Sequence, residues 1–303
     1  MAAETATTLR GYLNGELVDP EKLVLPFTDW SVLSGKIVYE FTRSFGQKLF
    51  KKREHLERLV RSQRALGLDP FLSVQELEQA TDELVATNLG LVGEDEFAVF
   101  HGVLSGTTPG SAPRLLIKFD SLTWPLGTNA HWYDGLHAVI PRQRTIPSRY
   151  RDPKIKMFGR AHYDRAQAQA EARVPGSVAV LEDEHGFLSE CQFANFFIVR
   201  DGVVSTPRSH NVLRGISRRY CMELARDLGM EVGEADIDRY DAITADEAWI
   251  TRTTFCMLPV VRFEDAELGA GKPGPVYEKI LAAWSTAVGV DIRAHARACA
   301  SAL

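Results

Sequence analysis

Hydrophobic and polar positions follow two periods in the first third of the chain. Lys22 to Phe27 and Ile37 to Phe45 are rich in β-branched and aromatic residues and predict strands, with a turn at Gly46-Gln47 before Lys48 to Phe50. From Lys51 to Leu66 the period lengthens. Leu56, Leu59, Val60 and Leu66 share one face at helical spacing, which predicts a helix. Ser73 and Glu76 form the S-x-x-E signature of a capping box, opening a second helix with Leu77, Ala80, Leu84 and Val85 inside. Phe97 to Leu104 and Leu115 to Phe119 read as further strands of the same sheet.

Between Asp120 and Gly135 periodicity gives way to Trp, Pro, Gly, Asn and His, and the domain connection is expected there. This divides the chain into a small domain over 1–125, a connecting loop over 126–134 and a larger domain over 135–303. The second part opens with a strand near Leu136 to Ile140 and a helix from about Gly159 to Arg173, with Lys154 to Lys156 read as its start. Asp201-Gly202 lies between two apolar runs, Phe196 to Arg200 and Val203 to Thr206, a two-residue hairpin signal. A helix over Ser217 to Leu228 is expected to stop at Gly229. Strands near Glu247 to Thr251 and Pro259 to Phe263 precede a final helix from Pro275 to about Val288.

Composition narrows the classes of function. The 303 residues, 45% hydrophobic and 25% charged, are those of an ordinary globular protein long enough for two domains. Thirty-five Lys and Arg against 40 Asp and Glu give a net charge of −5, with no basic face for a nucleic acid. No run approaches the ~20 apolar residues of a membrane-spanning helix, and the polar stretch Met1 to Arg10 does not read as a signal peptide. Cys191, Cys221, Cys256 and Cys299 form no CxxC pair and predict neither zinc nor disulfides, so a cytoplasmic location is expected. The eight histidines show no metal-ligand spacing, and His55 reads as a surface or capping residue. Gly269 to Gly274 matches G-x-G-x-x-G by letter, yet it follows no strand and contains Pro273. It reads as a loop.

Three segments carry the candidate chemistry. Lys156 stands in Lys154-Ile155-Lys156, followed by Arg160. Glu190 stands in Ser189-Glu190-Cys191, beside a segment so apolar that its carboxylate should need a partner. Leu213-Arg214-Gly215-Ile216-Ser217-Arg218 brings a glycine turn into a helix start, where free amides suit an anion. Singly, each has an ordinary reading: a solvated lysine, a strand-end turn, a capped helix. Together, a lysine, an acid and a phosphate cradle are the parts that hold pyridoxal phosphate, as Schiff-base amine, pyridine-nitrogen partner and anchor.

The sequence resembles the class IV aminotransferase family, the fold-type-IV pyridoxal-phosphate enzymes. The likeness runs from Tyr12-Leu13-Asn14-Gly15-Glu16 to Gly271-Lys272-Pro273-Gly274-Pro275. It is carried by Glu54 to Leu59, the Lys156 segment, Ser189-Glu190-Cys191 with Asn195, Leu213 to Arg218, and Thr251 to Thr254 with Leu258-Pro259-Val260. The resemblance implies a small α+β domain and a larger α/β domain forming a pseudo-barrel. It implies Lys156 as the Schiff-base lysine and proton carrier and Glu190 as the partner of the pyridine nitrogen. Arg58, Ile216, Ser217 and Thr253 then face the phosphate, and Leu213 the ring. Thr254 and Tyr39 fall on the substrate side. Lys154 is the rival of Lys156, and the register of Ala166 and Glu171 favours the latter.

The implied activity is ping-pong transfer of an amino group from an amino acid or primary amine to a 2-keto acid, by a homodimer. Three departures bear on specificity. The tyrosine many members carry five residues after the lysine is here Ala161, preceded by Arg160, which is expected to serve the cofactor or substrate side. Asp29 to Lys36 departs from the family's more regular pattern at the substrate pocket. Ser105 to Gly110 resembles the D-amino acid enzymes' loop without their following Arg and His, leaving Arg252 as an alternative carboxylate anchor. Arg160 and the Glu190-Cys191 pair also suit a lyase of the aminodeoxychorismate type, and a noncatalytic relative is the remaining alternative.

Overall fold

A computed structural model describes residues 8–303; most of the polar stretch Met1 to Arg10 lies outside them. The described residues form two compact units, one over 8–123 with 155–159, the other over 124–154 with 160–303.

The first unit is built on a six-stranded antiparallel sheet. Its strands are β1 (Gly11–Leu13), β2 (Glu16–Val18), β3 (Ile37–Phe45), β4 (Lys48–Leu49), β5 (Phe97–Leu104) and β6 (Arg114–Ser121), in the order β2-β1-β6-β5-β3-β4. Short helix α1 (Trp30–Ser34) precedes β3, and α2 (Lys52–Ala65) and α3 (Val74–Asn88) follow β4. Leu56, Leu59, Leu77 and Leu84 are fully buried with Phe97, Val99, Leu115 and Ile117 of the sheet. Burying each such side chain contributes roughly 1.5–3 kcal/mol. The capping box at Ser73 forms with both of its hydrogen bonds. The turn Gly46-Gln47 takes left-handed backbone at both residues, as a tight hairpin requires. The expected strand over Lys22 to Phe27 does not form. A single 3-10 turn, Pro20–Lys22, ends in a hydrogen bond from Leu23 N to Pro20 O, and Pro26 has no amide to give a ladder.

The second unit begins with α4 (Thr123–Thr128) and a 3-10 turn, Ala130–Asp134, so the stretch without periodicity holds short helical turns. Its strands are β7 (Leu136–Val139), β8 (Val178–Glu182), β9 (Leu188–Cys191), β10 (Ala194–Arg200), β11 (Val203–Pro207), β12 (Glu231–Ala235), β13 (Glu247–Arg252), β14 (Cys256–Phe263) and β15 (Ala266–Glu267). Strands β10, β13, β14, β7, β8 and β9 pair in that order, and β9 pairs back to β10, closing a barrel-like ring. Helix α5 (Ala161–Arg173) lies between the parallel strands β7 and β8, and α6 (Ile216–Asp227) between the parallel β11 and β12. Short α7 (Arg239–Ile243), α8 (Pro275–Val288) and α9 (Ile292–Ser301) complete the unit. Helix α8 is therefore not the last, since Asp291 caps α9 through Ala294 N. Asp201-Gly202 forms the expected hairpin with both residues left-handed. The four cysteines are free and buried.

Candidate active site

In the first unit the site residues converge on β3. The segment 155–159 pairs with that strand: Tyr39 N donates to Lys156 O at 2.9 Å, Phe158 N donates to Ile37 O at 2.9 Å, and Val38 bridges Met157. Lys156 is thus extended, five residues before α5 begins, and not at a helix start as the sequence suggested. These backbone pairs fix it, with a further bond from Lys156 N to Ser62 Oγ on α2 at 3.3 Å. The lysine is buried, and its Nζ lies 4.6 Å from the centre of the Tyr39 ring. Tyr39 is itself stacked on Phe100 and meets the edge of Phe158. Lys154, in the second unit, is partly exposed and paired with Asp152 at 2.8 Å.

Arg58 on α2 is buried against Glu40 of β3. Its Nε reaches Oε1 at 2.6 Å and its Nη2 reaches Oε2 at 2.8 Å, the planar fork that suits a carboxylate. His55 Nδ1 donates to the same Oε2 at 2.7 Å. Burial alone would push the Glu40 carboxyl up, but the Arg58 guanidinium and the His55 hydrogen bond hold it well below the usual carboxylate range. Burial lowers the pKa of His55, assisted by Arg58 and Lys156 and opposed by Glu40. His55 is therefore a core residue, not a surface or capping one. Helical spacing alone cannot show that a polar residue between Glu54 and Leu56 faces inward to a buried acid.

In the second unit Glu190 is the centre. It is buried on β9, and three neutral donors hold its carboxylate. Tyr163 Oη donates to Oε1 at 2.5 Å; Leu213 N and Asn195 Nδ2 donate to Oε2 at 2.9 and 3.1 Å. Asn195 Nδ2 also donates to Leu213 O at 2.9 Å, so the main chain of Leu213 is bound to the acid through its amide and to Asn195 through its carbonyl. The turn then enters α6, whose first residues are Ile216 and Ser217. Its N-cap, Gly215, offers no side-chain acceptor to the helix-start amides. A Cβ on Gly215 would lie 2.1 Å from Asn195 Oδ1, so only glycine fits there. Thr253 and Thr254 lie in the three-residue turn between β13 and β14, Thr254 buried and Thr253 half-buried.

Arg160 is the N-cap of α5, its guanidinium 4.3 Å from the Tyr163 ring centre and 5.0 Å from that of Phe193. Arg252 lies 6.0 Å from Phe193 and 5.3 Å from Phe255. Phe193 is half-exposed with φ of +63°, a conformation that costs a non-glycine residue about 1–2 kcal/mol. Glu40 and Tyr163 were not among the residues singled out in the sequence, and His55 was read as a surface or capping residue. Glu40 did leave a signal, as a lone acid inside the apolar run of β3. Tyr163 left none, because with Ala166 and Ala170 it reads as an ordinary buried face of a helix.

The residues present fit pyridoxal phosphate. In the second unit a buried acid held by neutral donors complements a cationic ring nitrogen and a glycine turn at a helix start suits a phosphate; in the first, a buried lysine is an amine of the kind that forms a Schiff base. Among the described residues no group of three metal-ligating side chains comes together, and no helix is long and apolar enough to cross a membrane.

Comparison with known proteins agrees with this fold. Residues 37–263 match the amino-transferase class IV family. A putative branched-chain-amino-acid aminotransferase of Methanocaldococcus jannaschii is 29% identical over 89% of this chain and 93% of its own length. A D-alanine aminotransferase of Staphylococcus aureus is 26% identical, covering 89% of this chain and 94% of its own. The crystal structure of a branched-chain aminotransferase from Thermoproteus uzoniensis with norvaline superposes with a TM-score of 0.84 at 25% identity, over 93% of this chain and 95% of that one. The chain belongs to the class IV aminotransferase family, with the fold-type-IV architecture, and is a pyridoxal-phosphate-dependent transaminase.

Proposed function

We propose that the enzyme moves an amino group from an amino acid or primary amine to a 2-keto acid in two half-reactions, acting as a cytoplasmic homodimer. The observation that carries the residue assignment is the Glu190 carboxylate, buried and tied to the main chain of Leu213 immediately before a glycine-led helix start. Bound pyridoxal phosphate would supply an electron sink for the electrons released at the substrate Cα. In this reading Lys156 Nζ carries the cofactor and moves the proton at Cα. Its burial beside Tyr39 limits its hydration and fixes its approach. Glu190 keeps the ring nitrogen protonated, and Leu213 packs on the ring. Ile216 N, Ser217, Thr253 and Arg58 bind the phosphate.

Tyr39 and Thr254 bound the substrate side. Arg252 and Arg160 are the candidate cationic groups for a substrate carboxylate. Both guanidinium groups lie about one half-exposed ring, that of Phe193.

The test is a set of single half-reactions on the purified holoenzyme with L-amino acids, D-amino acids and (R)-amines, following the cofactor absorbance, beside Lys156→Ala. Conversion of the cofactor by one donor class, and its return by a 2-keto acid, is the expected result. Release of many equivalents of pyruvate per site without any keto acceptor, the cofactor staying in its aldehyde form, would overturn transamination in favour of a lyase. Borohydride fixation of cofactor in Lys156→Ala at the wild-type level would overturn the lysine assignment.

A further inference from the structure

Tyr163 is a buried phenol that none of the roles above uses. It stands in the first turn of α5, where its ring packs with Ala166 and Ala170 against Val139, Ala179 and Leu181. The hydroxyl at the end of this otherwise apolar side chain donates to Glu190 Oε1 at 2.5 Å. Leu213 N and Asn195 Nδ2 donate to the other carboxylate oxygen, and the phenol brings a side-chain donor to Oε1 from a helix outside the sheet.

Three observations make this contact more than a satisfied core tyrosine. First, its acceptor is the carboxylate assigned to the ring nitrogen. A hydrogen bond to the charged form of an acid favours that form, so the phenol helps keep Glu190 ionised. Second, the phenol remains a donor. Burial and the neighbouring Glu190 charge push its ionisation well above the ordinary tyrosine value, while Arg160 and Arg151 oppose that rise. Third, the ring is held. Its apolar neighbours pack one side, and the Arg160 guanidinium lies 4.3 Å from its centre. The sequence position matters too. The chain has Ala161 five residues after Lys156, and Tyr163 comes two residues later, where one more half-turn of α5 directs it to β9.

We propose that Tyr163 is a positioning residue for Glu190, fixing the orientation and charge of the carboxylate that serves the cofactor ring. This rests on the assignment of Glu190 to the ring nitrogen. The phenol touches neither substrate nor reacting atoms; it acts through the acid. Removing the hydroxyl while keeping the ring leaves the packing of α5 intact and weakens only the stabilisation of the ionised carboxylate.

The test is a double-variant cycle on the holoenzyme with Tyr163→Phe, Glu190→Gln and the pair. The readouts are the dissociation constant for pyridoxal phosphate, the pH titration of the cofactor absorbance, and kcat and KM. Tyr163→Phe should shift the titration and lower kcat about tenfold, as loss of one hydrogen bond to a charged group would, with KM changed less than about twofold. In the Glu190→Gln background the same change should add almost nothing, because the two residues act as one unit. Losses that multiply in the pair would mark a merely structural tyrosine and overturn the proposal, as would a Tyr163→Phe enzyme with wild-type titration and kcat. If Glu190→Gln itself has wild-type titration and kcat, the assignment of Glu190 fails, and this inference with it. An impaired Glu190→Gln beside an unimpaired Tyr163→Phe overturns the Tyr163 role alone. Should Tyr163→Phe fail to fold, 3,5-difluorotyrosine placed at 163 provides a stronger donor. It should move the titration in the opposite direction, and an unmoved titration would overturn the proposal.

Discussion

Arg58 and Glu40 form a two-pronged buried ion pair between α2 and β3, at 2.6 and 2.8 Å. The arginine proposed to meet the phosphate is therefore aimed by a residue of the sheet. Replacing Glu40 with Gln leaves a buried guanidinium short of its counter-charge, and breaking such a pair from one side typically costs about 3–5 kcal/mol. Urea unfolding of Glu40→Gln should show a loss of that order.

The same carboxylate gives acid sensitivity. Its pKa lies below the ordinary 4.5, so its contribution is complete above pH 4.5 and is lost as pH falls toward the folded-state value. Unfolding measured along a pH series should show stability declining below about pH 4.5, and Glu40→Gln should flatten that part of the curve.

His101 controls a higher pH window. Its Nε2 lies 2.8 Å from Thr81 Oγ1, whose own proton goes to Leu77 O at 2.6 Å, so the ring must donate from Nε2. Its Nδ1 has no partner among the described residues, and a second proton there would be buried without an acceptor. Burial accordingly lowers its pKa from 6.5 to about 3. The unfolded chain binds the proton first, so this contribution is present above pH 6.5 and is lost as pH falls toward about 3. The slope of stability against pH across that interval should lessen in His101→Asn.

Gly215 is set by space and not by its backbone angle. A methyl group there would meet Asn195 Oδ1 at 2.1 Å, displacing the amide that joins Glu190 to Leu213. Gly215→Ala should lower stability by about 1–3 kcal/mol, the usual range for overpacking, and raise the dissociation constant for pyridoxal phosphate. Calorimetric unfolding with a cofactor titration would check both.

Lys154 and Lys156 should separate cleanly. Lys154 makes a partly exposed pair with Asp152, a kind of contact worth about 0–1 kcal/mol. Lys154→Ala should retain turnover within about twofold, while Lys156→Ala should lose cofactor fixation by borohydride.

Local pattern determined much of this protein. The spacing of Leu56, Leu59 and Val60, the Ser73 capping box and the Asp201-Gly202 turn each encode an element through contacts a few residues apart, and each forms. The ordered motifs around Arg58, Lys156, Glu190 and Gly215 likewise carried the family. Tertiary structure decided what depends on distant partners. Lys156 is extended and not helical because β3 supplies its backbone hydrogen bonds. His55 is buried because Glu40, 15 residues earlier, gives it an acceptor. Tyr163 and Glu190 are 27 residues apart and meet only when α5 packs on the closed sheet. A period of hydrophobic residues records which face is inside; it does not record which polar atom waits there.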